Sequence, residues 1–285
     1  MRTAAIAYPP SGRLAAALLV AVSRGSLLAI VALLLGLDAW LGTGFRLGNP
    51  LRLIRAFTAF CLVPGIGAWL LERLLEVTAA IEAGTLVLHG RGRRIEIPCD
   101  AIARVAPWTV PLPAGGVWLQ LASGRRYGVQ LDDPVAFIEA LAAAGAPERV
   151  RGAAGHAAAI HARSQQAASG RWDHPAVKFL LFALLPALPL FRLHQWIAYG
   201  GTFGEYYMFG LKAYLLGFGI YWGTAIVYLV LYAAVLRAVV EPVVFATAAV
   251  APSRTAGVRR GAETAIRILY YGGVPLLLVW LFVRS

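Results

Sequence analysis

Long apolar runs separated by arginine-rich segments constrain this chain more than any motif does. The stretch "GSLLAIVALLLGLDAWLG", Gly25 to Gly42, holds a single ionisable residue, Asp38. Backbone amides in a bilayer core have no water to bond, so only helices and closed barrels cross it. The runs are Leu-, Ala- and Val-rich and continuous, where a barrel needs alternation. Charged residues make up 14 % of the chain, against about 25 % in an ordinary soluble domain. The chain is predicted to be an α-helical polytopic membrane protein with about five transmembrane helices.

The expected spans are Leu27 to Leu41, Leu53 to Leu71, Val177 to Leu193, Ala213 to Leu236 and Thr264 to Val283. The first extends backward through Ser23 and Arg24 if the arginine snorkels to the headgroups. It is read as an uncleaved anchor, with Asp38 beside Trp40 near its far end. Pro64, Gly65 and Gly67 predict a kink in the second span, and Pro186 and Pro189 a bend in the third. Gly219 and Gly223 permit close helix contact in the fourth. Residues 238–251 are interrupted by Glu241 and Pro242 and are expected to be interfacial or re-entrant, too short for a crossing.

Between the second and third spans the pattern changes. "TLVLHG" and "RRIEIP" read as strands, the second ending at Pro98. "DAIARVAPW" adds a short turn and a third strand, and "TVPLPAGG" a Pro/Gly connection. "VWLQLASGRRYGVQL" gives two strands joined at Ser123-Gly124. "DDPVAFIEALAAAG" is a helix with an Asp cap, Pro134 in its first turn and Gly145 at its stop. The expected organisation is two helices in 1–75, a β-rich domain with a C-terminal helix in 76–150, an Ala/Arg-rich linker in 151–176, and three helices in 177–285. In "RRIEIPCDAI", Ile95 and Ile97 should face a core and Arg94 and Glu96 face away. Cys99 is expected in the turn, half-buried, with no neighbouring base to activate it. Cys61 falls inside a span, so no disulfide joins the two.

The piece from about Ile81 to Ala144 resembles the bacterial PH-like domains found attached to membrane helices. The resemblance rests on "GTLVLHG", "RRIEIPCDAIARV", "GVWLQLASGRRYGVQL" and "DPVAFIEAL". In that family a strand ends at an I-P-x-x-x-I step, matched here by Ile97, Pro98 and Ile102, and a closing helix caps one end of a barrel. Seven strands are not evident here, and "PWTVPLPAGG" stands where a hairpin belongs. The resemblance implies a PH-like module that serves interaction or assembly, in a protein of the bacterial inner membrane.

The net charge of +12 comes with no nucleic-acid-binding motif, so nucleic acid is not an expected partner. With the N-terminus inside, about 20 of the 26 Lys and Arg fall on inside segments. That bias predicts a cytoplasmic N-terminus and module. Taking 238–251 as a sixth span would return the C-terminus inside.

No metal, cofactor or catalytic constellation is read. His156 and His161 stand about 140° apart on a helix and are expected to be solvated. "RWDHP" could set Asp173 to orient His174 as a base, but Trp172 and Pro175 favour a membrane-surface anchor. Arg192, His194, Glu205, Tyr206 and Tyr207 form the densest polar cluster near the bilayer, beside the ordinary alternative of an aromatic belt. Glu241 is a carboxylate in an apolar stretch, with Arg237 four residues before it as the expected partner. Arg91, Arg93, Arg94, Arg125 and Arg126 are candidate contacts for anionic lipid or a partner protein. The leading reading is a non-catalytic membrane component that presents its module to a protein partner, membrane or cytoplasmic, or to anionic membrane lipid. The alternative is an enzyme or carrier for a lipid-linked substrate at a polar patch between the third and fourth helices, Arg192, His194, Glu205, Tyr206 and Glu241 lining one cavity.

Overall fold

A computed structural model describes residues 2–37, 49–90, 93–166 and 174–284. Five helices are long and apolar enough to cross a membrane: α1 (Ser11–Gly36), α2 (Pro50–Leu74), two further helices at Ala176–Tyr199 and Gly204–Val250, and the stretch Pro252–Trp280. The first begins well before Leu27, because helical backbone runs unbroken through Arg13, Ser23 and Arg24. Asp38 and Trp40 lie outside the described residues, as do Trp172 and Asp173.

The chain divides into two compact units. The first comprises Met1–Ser23, Val63–Ser169 and Val240–Glu263. Its centre is a seven-stranded antiparallel sheet in the order β4-β3-β2-β1-β7-β6-β5. The strands are β1 (Arg2–Tyr8), β2 (Glu76–Glu82), β3 (Thr85–Gly90), β4 (Arg93–Pro98), β5 (Ile102–Pro107), β6 (Gly116–Leu121) and β7 (Arg126–Leu131).

β1 lies in the stretch assigned from sequence to the first two helices, yet it forms the middle of the sheet. It pairs with β2 from Arg2↔Ala80 to Ile6↔Glu76, and with β7 from Ala5↔Leu131 to Tyr8↔Gly128. Strand β1 precedes α1 and β2 follows α2, so both ends of this helix pair return to one sheet. The Ala7 N–H also donates to the Leu75 carbonyl at 3.1 Å, tying β1 to the exit of α2.

The sheet is curled. β4 and β5 occupy opposite edges, yet only Cys99–Ala101 separate them. Four Cα–Cα steps from Pro98 to Ile102 span at most about 14 Å. Six interstrand spacings in a flat sheet would span about 29 Å. The edges therefore roll toward each other around one core. Inward residues from every strand meet there, among them Ala5, Ala79, Leu86, Ile97, Ile102, Val117 and Val129. Helix α3 (Pro134–Ala143) closes it with Phe137, Ile138 and Leu141. Asp133 caps α3 by accepting the Ala136 N–H at 3.0 Å, and Pro134 takes the first turn, where no N–H is needed.

On β4, Ile97 is buried and Ile95 packs against the core, while Arg94 pairs with Glu96 at 2.7 Å on the outer face. Cys99 is wholly buried, where the sequence suggested half-burial. The 3₁₀ turn draws it inward as the strand changes edge. Burial and then the neighbouring Asp100 push its thiol up, so it is a poor nucleophile.

The second unit comprises Arg24–Leu62, Gly170–Val239 and Thr264–Ser285. Two apolar clusters hold it. One joins Ile30, Leu53, Cys61, Val227 and Leu231; the other joins Ala183, Ala187, Leu229, Ala233 and Tyr270. The small residues let helices approach closely without a hydrophobic drive from water. The Tyr270 hydroxyl donates to the Lys178 carbonyl at 2.9 Å, and Trp222 Nε1 to the Leu180 carbonyl at 3.0 Å.

Ala5 is 5 % exposed at the middle of the sheet. Ala5→Asp would bury a carboxylate there, at a cost of roughly 3 kcal/mol or more. New protease cleavage between residues 76 and 166 of the detergent-solubilised protein is expected. Wild-type resistance would show that the fold does not need β1.

Candidate functional site

Three polar clusters stand out. The first lies within unit one, where three helices meet. Helix α4 (Ala157–Gln166) lies in the predicted linker but is well packed: Ala158, Ala159, His161, Ala162 and Ser164 are all buried. A side-chain carbon on Gly115 would collide with Ala162, so the Pro/Gly connection before β6 must stay bare at that point. Helix α5 (Ala176–Tyr199) and helix α6 (Gly204–Val250) follow, then α7 (Thr255–Tyr271) and α8 (Gly273–Arg284). Residues 238–251, expected to be interfacial or re-entrant, are helical through Val250 as the end of α6. Glu241 stands there just before Pro242.

Glu241 Oε2 lies 3.0 Å from His161 Nε2 on α4, and its Oε1 lies 2.9 Å from Arg259 Nη1 on α7. Arg259 Nε is 3.5 Å from Glu263 Oε1, one turn further along α7. His161, Arg259 and Glu263 are each 2–3 % exposed. A carboxylate only accepts, so the imidazole donates from Nε2 whether it is neutral or charged. Phe245 covers the ring edge-on at 5.5 Å. Burying these charges is tolerable because each faces an opposite charge or a donor. Two partners of Glu241, His161 and Arg259, thus come from elements remote in sequence. His161, expected to be solvated, is instead the group by which α4 holds α6.

The second cluster clamps the entrance to α1, also within unit one. The Arg13 guanidinium lies 4.2 Å from the Trp108 ring centroid and 5.2 Å from that of Trp118. Its Nη2 donates to the Val110 carbonyl at 3.4 Å. Tyr8 packs on Trp108 and donates its hydroxyl to Gln130 Oε1 at 3.1 Å. Burial, then Glu72, push this phenol up, so it remains a donor. A cation–π contact to a half-buried guanidinium is worth about 1 kcal/mol, and with the Val110 and Gln130 hydrogen bonds it makes a structural joint between strand, helix and sheet.

The third cluster lies in unit two. Gln195, fully buried, donates from Nε2 to Glu205 Oε2 at 2.6 Å and accepts the Glu205 N–H at 3.2 Å. His194 packs between Tyr221 at 5.3 Å and Tyr199 at 5.8 Å. Arg192, Tyr206 and Tyr207 are exposed. Of the loop residues expected to act together, His194 and Glu205 join this cluster, while Glu241 belongs to the other unit. Gln195 was missed, although it directly follows His194. In the module, Arg94 is paired with Glu96, and Arg125 and Arg126 are exposed at the β6–β7 turn. Arg93 begins β4, and Arg91 lies outside the described residues. Among the described residues, no group of three or more His, Cys, Asp and Glu is arranged to hold a metal ion.

No protein-family model matches the chain, and no curated protein or solved structure matches it. The chain is a multi-span helical membrane protein with a β-rich, helix-closed region inserted between its second and third spans.

Arg259→Leu would leave Glu241 and Glu263 facing each other without their shared cation. A loss of about 3–5 kcal/mol is expected, read as a lower thermal unfolding midpoint of the full chain in detergent. Arg259→Lys should recover only part of it, since an ammonium lacks the fork that reaches two carboxylates.

Proposed function

We propose that the chain acts without catalysis, as an assembly or interaction component that presents a PH-like module to a partner protein or anionic lipid. The observation that carries this reading is the composition of unit one. It joins the sheet to the near ends of α1, α2, α6 and α7, so the sheet and those helix ends form one packed unit. A sheet packed with four helix ends in this way suits presentation of a surface. Seven antiparallel strands closed by a helix support the PH-like reading. Exposed Arg125 and Arg126 are the contacts this reading favours, because Arg94 already has Glu96. The arginine distribution supports a module on the cytoplasmic face of a bacterial inner membrane.

The test is extraction in mild detergent followed by mass spectrometry. A protein or anionic lipid should be retained by the wild type and lost from the Arg125→Glu, Arg126→Glu double variant. A monomer free of both, even after gentle extraction, would remove the reading.

Sidedness has its own test. An N-terminal strand paired with β2, followed by five spans, puts the N-terminus and module together and the C-terminus opposite. A fluorescent reporter placed after α3 should be active in the cytoplasm, and a periplasmic phosphatase reporter should be active at the C-terminus. A phosphatase-active fusion within the module would reverse the assignment.

A further inference from the structure

An open cavity of about 820 Å³ runs along β5 within unit one. β5 is an edge strand bonded to β6 alone. The other wall is the 3₁₀ segment Glu148–Gly155, with His156 after it. Arg104 and Arg149 line the cavity, with Thr109 and Gln120 as neutral polar neighbours, and no carboxylate is among the described lining residues.

Several features set this groove apart. The register of β5 against β6 slips between Ile102 and Arg104, and a bulge of that kind re-aims the side chain after it. Arg104 lies opposite Gln120 on β6, so the two stand side by side on one face. Among the described residues neither Arg104 nor Arg149 has a carboxylate partner. Nearby Arg151 is neutralised by Glu148 at 3.1 Å, and Arg163 faces Asp133 at 3.7 Å. The His156 Nδ1 accepts the Ala158 N–H at 3.2 Å, which leaves Nε2 as the proton-bearing nitrogen. A side chain on Gly152 would meet nothing within 4 Å, so that wall is open to a ligand.

We infer that this groove binds a phosphomonoester group, carried by a soluble organic phosphate or by a lipid headgroup. A phosphomonoester brings three acceptor oxygens and a charge of about −1.5 to −2 near pH 7. Two unpaired guanidiniums balance that charge with forked donors, and His156 supplies a further N–H. The volume falls within the roughly 300–1,000 Å³ of small-molecule sites, more than phosphate alone requires. Arg125 and Arg126 are not among the lining residues, although Arg126 lies opposite Gln120 on β7, and the inference does not depend on the interaction reading above.

The test uses the full chain in phosphatidylcholine nanodiscs, with glycerol 3-phosphate titrated by calorimetry. A second arm measures retention of phosphatidic acid by native mass spectrometry. Saturable binding is expected in at least one arm, and the arm that responds identifies the source. The double variant Arg104→Gln, Arg149→Gln removes exposed side chains and should weaken binding by roughly tenfold or more. The Arg73→Gln, Arg94→Gln variant, which removes the same charge at exposed positions outside the lining, should weaken it by no more than about twofold. No saturable binding in either arm overturns the inference, and so does equal weakening by the two variants.

Discussion

The hydrogen bonding of β1 between β2 and β7 is the constraint on which the rest of unit one depends. Without it the sheet separates into β2–β4 and β5–β7, each with an unpaired edge. The strand is made before its partners and completed late, because they follow only after α1 and α2. Pairings across this separation are slow to form, since loop closure precedes any stabilising contact. Helices that return β2 to the side where β1 waits bring those ends together. Membrane insertion and completion of the sheet are therefore one assembly problem, and a fragment beginning at residue 76 would lack its central strand.

The joints around that sheet use different chemistry in different places. At the entrance to α1, Arg13 is held by indole faces and a single carbonyl. Weakly hydrated guanidinium suits such a site better than ammonium would. At the far end of α6, charge is matched by charge. α6 spans 47 residues, about 70 Å of helix, whereas a bilayer core needs about 20 residues. Its backbone breaks at Gly210, where φ is +83°, a region open to glycine. The surplus length lets its last turns belong to the module's unit.

What could be read from the chain follows the range of the interactions. Strands β3 to β7 and α3 were legible because alternation, the Asp133 cap and the Gly145 stop are local. The five spans were legible because hydropathy is local too. "RTAAIAY" was not. It is short and alanine-rich, and its strand character comes from partners about seventy or more positions away. His161 was misplaced for the same reason, since nothing in "AAAIHAR" points to Glu241. Glu241 itself was conspicuous as a carboxylate in apolar sequence, but nothing near it in sequence pointed to Arg259. The cluster at Arg192 to Tyr207 was visible as composition. Its division into a buried Gln195–Glu205 pair and exposed tyrosines depends on how α5 and α6 pack.

The buried network at Glu241 raises the question of why packing alone is not used there. Replacing a buried ion pair with apolar residues is often neutral or stabilising, so added stability is a weak explanation. Geometry supplies a better one. The packed face of α4 is mostly alanine, with Ala158, Ala159 and Ala162 buried. Alanine faces fit closely but fix rotation and register poorly, since one methyl substitutes for the next. A hydrogen bond from Nε2 to Oε2 at 3.0 Å is directional. A slip of α4 by one residue would turn the imidazole by about 100° and leave the buried His161 Nε2 without this acceptor. The Arg259 fork imposes the same demand on α7. The charges thus act on register, at the one place where an alanine-rich helix must find a single seat against the ends of two membrane helices.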